Sequence, residues 1–147
     1  MTVHSYRTRA LLVAPIRLLL GLLAAGAAVL AGAAGRSAVL AFVVGALGIT
    51  FVIFNDPRAR FLQRDVEPLP LPAGVEVAPG WRQALAATFP STVGVSVLAI
   101  VALFTKPTLA ALLGGVCAGL GLAALISLAR TDPGLYVDPK SSVVYRR

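Results

Sequence analysis

A carboxylate inside an apolar stretch is the usual mark of ion or proton coupling, because a charge at that depth is expensive and persists where it does work. All six acids of this sequence, Asp56, Asp65, Glu67, Glu76, Asp132 and Asp138, lie outside its apolar stretches. A carboxylate-driven antiporter or proton-relay pump is therefore not expected. His4 is the sole histidine and Cys117 the sole cysteine. A histidine-rich metal site, a histidine-dependent triad, an intramolecular disulfide and a cysteine metal cluster are all out of reach. There is no Walker loop, GxSxG elbow, HExxH or acid-rich metal box. No catalytic residue, metal or cofactor is expected. A lipid-modifying enzyme would have to use Asp56 or Asp132, each followed by proline, as its catalytic group at a membrane surface.

Three further sets of residues carry chemistry. Arg17 is the one charge that falls within an apolar segment, a turn or two from its start. A long stem at that position leads the guanidinium back to lipid headgroups; an anion-binding role is the sharper reading. Thr88, Thr92 and Ser96 recur every four residues, so on one helix they share a face, with Ser91 beside them. Such a stripe lines a polar path or, more commonly, bonds to backbone carbonyls or a neighbouring helix. Small residues form ladders: Ala24, Ala28 and Gly32; Ala41 and Gly45; then Gly115 and Gly119 as a GxxxG. Small side chains let helix backbones approach closely where lipid removes the hydrophobic drive. Packing within one chain accounts for them, and a homodimer through the GxxxG segment is the alternative. Cys117 reads as one more small packing residue.

The elements that hold these residues follow from composition. Of 147 residues 58% are hydrophobic and only 13% charged, and the mean hydropathy is +0.87. A soluble domain is about a quarter charged, so lipid must cover the surplus apolar surface. A crossing helix needs about 20 mainly apolar residues. Four segments qualify, at about 10–34, 37–54, 83–104 and 109–129. A cleaved signal peptide competes for the first, but its apolar run exceeds the usual h-region of about 7–15 residues. The expected fold class is all-α: a single membrane domain, a four-helix bundle of two hairpins, with a linker at 55–80 and a tail at 130–147.

Orientation comes from the loops. The turns near Arg36 and Lys106 carry one basic residue each; the other side carries Arg7, Arg9, Arg17, Arg58, Arg60, Arg64, Arg82, Arg130, Lys140, Arg146 and Arg147. Cytoplasmic loops hold the Lys/Arg excess, so both termini are expected in the cytoplasm, with the protein multi-pass in a cell (inner) membrane. The net charge of +7 flanks apolar segments, which points to anionic lipid rather than nucleic acid. Arginine outnumbers lysine by eleven to two, with abundant Ala, Gly and Pro, a usage that hints at a GC-rich bacterial genome.

Within the linker, Asn55-Asp56-Pro57 has a helix-start pattern, and Arg58, Arg60 and Arg64 alternate with apolar residues as in a short interfacial helix. Pro68-Leu69-Pro70-Leu71-Pro72 favours extended polyproline II, a stiff spacer or a docking ligand. Trp81, Arg82, Tyr136 and Tyr145 suit interfacial anchoring. The tail is too short for a fold of its own, and the N-terminus reads as frayed. Pro15 and Pro90, then Asp56-Pro57 and Asp132-Pro133, lie 75 and 76 residues apart, spacings that suggest a parallel duplication. The leading expectation is a non-enzymatic accessory or assembly component acting through helix faces and a basic linker. An oligomeric channel or facilitator for a small solute is the alternative.

Overall fold

Long apolar runs become long helices here because a helix satisfies its own backbone groups. The computed structural model describes residues 2–55, 68–130, 134–138 and 144–146. Among them are five helices: α1 (Tyr6–Leu30), α2 (Gly35–Asn55), α3 (Gly80–Thr88), α4 (Ser91–Thr105) and α5 (Pro107–Arg130). Ser5 caps α1, its hydroxyl accepting from the Thr8 amide at 3.4 Å. Helices α1, α2 and α5 are each long and apolar enough to cross a membrane. The expected interfacial helix, with Arg58, Arg60 and Arg64, lies outside the described residues.

The expected continuous third span, 83–104, is broken. Helices α3 and α4 meet at a 51° bend across Phe89-Pro90, a cis peptide. A residue before proline is pushed out of the helical region, and Phe89 is extended at φ −97°, ψ 139°. Pro15 has no such effect, and α1 runs on through it. There Ala14, Arg17 and Leu18 all lie against Gly121 of α5, so packing holds the helical course.

Helix α5 is the centre of the molecule. It packs against α1, α2 and α4, whereas α1 and α2 touch little. Half of its apolar stretch is buried, against 11% for α2. The arrangement therefore does not treat the two halves alike: α5 is enclosed and α2 is peripheral. At the end bearing the two turns, Ala28, Ala33, Ala38, Ala102, Ala110 and Ala111 form a cluster of buried alanines.

The opposite end holds a small sheet that the all-α expectation lacks. Its strands are β1 (Thr2–Ser5), β2 (Leu69–Pro70), β3 (Glu76–Val77), β4 (Leu135–Val137) and β5 (Val144–Arg146), in the order β2-β5-β4-β1-β3. The N-terminus is thus paired rather than frayed: His4 stands opposite Val137 and Val3 opposite Val77. The tail, expected to have no fold of its own, forms an antiparallel pair with Tyr136 opposite Tyr145. Part of the proline-rich spacer becomes β2, parallel to β5, and the Leu71 amide donates to the Arg146 carbonyl at 3.1 Å. Pro70 is accommodated because β2 is an edge strand, where a missing amide hydrogen breaks no ladder.

Candidate functional site

The break between α3 and α4 leaves carbonyls without intrahelical donors. In an apolar layer each would be costly, and several donors are spent close to the break. The Phe89 amide donates to the Leu85 carbonyl at 3.1 Å. The Thr88 hydroxyl lies 3.0 Å from the Ala84 carbonyl and 3.1 Å from that of Leu85. Arg17, on α1, reaches across to one of these carbonyls: its Nη2 donates to that of Ala87 at 2.9 Å, and its Nε to the Thr92 hydroxyl at 2.8 Å. A cation is well placed there, since the C-terminus of α3 carries the negative end of the helix dipole. Thr92 is 1% exposed, and its carbonyl accepts from the Ser96 hydroxyl at 2.8 Å. Arg17 thus binds α1 to both sides of the break.

This geometry rewrites the hydroxyl stripe. The bend puts Thr88 on α3 and Thr92 with Ser96 on α4, so the three do not share one helix face. The hydroxyls of Thr88 and Ser96 donate to their own helices, and that of Thr92 receives Arg17. Beyond them a crevice opens between α1 and α4, floored by α5. It has a volume of about 200 Å³ and an almost wholly apolar lining that includes Leu20, Ala24, Ser96, Ala99 and Cys117.

The small residues are distributed over several contacts. On the α2–α5 seam, a Cβ at Gly45 would strike the Leu112 carbonyl, one at Gly115 the Phe42 carbonyl, and one at Gly119 would stand 2.5 Å from the Ala46 carbonyl. Thr50 secures the same seam, its hydroxyl 2.7 Å from the Ala46 carbonyl and 3.3 Å from that of Gly119. The GxxxG face is therefore covered by α2 of the same chain, and a dimer would have to use another surface. On the α1–α5 seam Gly21 and Gly114 face each other, with Ala24 beside Gly114. Ala28 is in the alanine cluster and Ala41 packs on it. Gly32 leaves the ladder for the turn after α1, where its φ of +103° suits glycine.

At the sheet end, Trp81, Leu85 and Phe89 project from one exposed side of α3, and the Arg82 guanidinium lies 5.2 Å from the centre of the Trp81 ring. Gln83 was not singled out from sequence, yet it is 1% exposed. Its Nε2 donates to the Ala78 carbonyl at 2.6 Å, and its Oε1 has no partner. A lone glutamine at the start of an apolar run gives no sequence signal for such burial. His4 is held below the ordinary imidazole range, by burial first and by Arg9 second, against an upward pull from Asp138. Among the described residues no three His, Cys, Asp or Glu side chains group as a metal site.

What fold and site together define is a mostly helical protein with three helices long and apolar enough to cross a membrane, or four if the bent pair α3–α4 is one span. No protein-family model, curated protein or solved structure gives a significant match to the chain.

Proposed function

We propose that the chain is a non-enzymatic, multi-pass component of a bacterial cell membrane, an accessory or assembly partner to other membrane constituents. It crosses four times, as a bundle of two hairpins, with both termini and the linker in the cytoplasm. Two features support the topology. The basic residues are biased eleven to two toward the linker-and-termini side. The sheet joins the N-terminus, the linker and the tail, so each hairpin returns to the side it left. Helix α4, at 15 residues, spans roughly 22 Å, short of a hydrocarbon core of about 30 Å. Helix α3 supplies the rest, with Trp81 and Arg82 at the headgroup level.

The observation that carries the functional reading is how the polar groups of the helical layer are used. Arg17, Thr50, Thr92 and Ser96 all bond to other parts of the fold. Arg17 with Thr92, and Thr50 through the Gly119 carbonyl, tie helices together. Ser96 is spent within its own helix, and these hydroxyls leave no free row along a path. Meanwhile Leu19, Leu22, Val39, Leu47 and Phe51 are more than half exposed, as faces for lipid or for helices of a partner. The partners are anionic lipid headgroups and a second copy or larger membrane complex. Nucleic acid is not among them, because the arginines flank apolar segments.

Purification from native membranes in mild detergent tests this. The expected product is an assembly larger than one chain, dissociated by harsher detergent; a monomer under every condition would contradict it. A facilitator for a small solute is the weaker reading, since it draws on Thr92 and Ser96, whose hydroxyls are engaged.

A further inference from the structure

Among the described residues Arg17 has two hydrogen-bond partners, and both are neutral. A guanidinium carries five N–H donors; the bonds to Thr92 and Ala87 use two of them, leaving three. Hydrogen bonds from a hydroxyl and a carbonyl do not neutralise the charge, and among the described residues no carboxylate pairs with Arg17. A cation in a low-dielectric layer calls for an anion.

The crevice begins one turn beyond Arg17 and Thr92. Leu20 follows Arg17 by three residues on α1, and Ser96 follows Thr92 by four on α4. Both lie one turn further on along the same faces, and both line the crevice. The polarity of Ser96 is spent on the Thr92 carbonyl, so the slot offers almost entirely apolar contact. Leu23 and Ile100, each more than half exposed, form an open rim. Apolar voids near 150 Å³ stay dry and take up small hydrocarbon molecules, and this one has about 200 Å³. Arg17 lies 13 residues before the end of α1, roughly 20 Å along the axis. In a core of about 30 Å that puts it in the inner-leaflet half, where its stem leads the guanidinium toward the headgroups.

We propose that the α1–α4 crevice binds one anionic phospholipid, its phosphate on the free N–H groups of Arg17 and a stretch of acyl chain in the slot. The assignment rests on the membrane reading above. The two halves of the site select differently: charge-assisted bonds to phosphate oxygens favour a net-negative headgroup, while the slot favours any acyl chain. The lipid then completes the bond set of the Arg17 guanidinium.

Native mass spectrometry of the full chain, with added phosphatidylglycerol or phosphatidylcholine, tests the site. One retained phosphatidylglycerol is expected, preferred by about tenfold over phosphatidylcholine, the scale of a single charge-assisted pair. Arg17→Gln should abolish the preference. Ala27 also lines the slot; Ala27→Phe, which fills it ten residues from Arg17, should weaken retention of both lipids by about tenfold and leave melting of the delipidated protein unchanged. Equal retention of the two lipids would overturn the site, as would a phosphatidylglycerol preference and affinity indifferent to Ala27→Phe. So would displacement of the lipid by inorganic phosphate alone. Flotation with vesicles keeps the two readings apart: an inserted chain with no lipid preference sinks only the site, whereas a chain that does not float with vesicles sinks the membrane reading as well.

Discussion

Arg17 stands where proline has opened a helix, and its value to the fold is set by what its removal would strand. Without it, the Ala87 carbonyl loses its side-chain donor and Thr92 keeps a buried hydroxyl with no guanidinium. Stranding a buried polar group costs about 1–3 kcal/mol. Arg17→Gln and Thr92→Val should each lower stability by roughly that amount, read as thermal melting in detergent. The double variant should cost clearly less than the sum, because both act on one bond; full additivity would contradict the link. The sequence disclosed that Arg17 was the charge nearest an apolar core, and that Thr92 sat among hydroxyls. It did not disclose that they meet, because the contact spans 75 residues and nothing local encodes it.

At the level of helices, the glycines separate close seams from open faces. A Cβ at Gly115 would run into the backbone of Phe42, whereas at Gly26 nothing lies within 4 Å. Backbone cannot step aside as a side chain does. Gly115→Val should therefore part α2 from α5 and cost more than about 3 kcal/mol, above the usual range for overpacking. Gly26→Ala should be neutral or stabilising by up to about 1 kcal/mol, as helix propensity allows. Equal melting temperatures for the two variants would undo the seam. The helices themselves were legible, since apolar runs of this length have few other solutions. The break in the third was not: Pro90 stands near one end of its apolar window and reads as a start signal, although α3 precedes it. Nor was the sheet, whose strands are two to four residues long and find their partners across the chain. Val144 and Tyr145, or Tyr136 and Val137, have strand-favouring side chains but too little length to carry a pattern.

Across the whole molecule, a central glycine-rich helix is wrapped by three others, and one small sheet gathers both chain ends and the linker. A sheet cannot form through a bilayer, so a chain whose helices cross must keep β1, β2 and β5 on one side. In the proposed orientation, drawn from the basic bias, this side is the cytoplasm. Arg36, in the first turn of α2, and Glu76, in β3, are both exposed and report the two faces. In a Cys117→Ala background, Arg36→Cys and Glu76→Cys can each be challenged with a membrane-impermeant thiol reagent. The oriented, four-crossing account predicts labelling of Arg36→Cys in intact cells and of Glu76→Cys only after the inner membrane is permeabilised. Labelling of both before permeabilisation, or of Glu76→Cys alone, would contradict it.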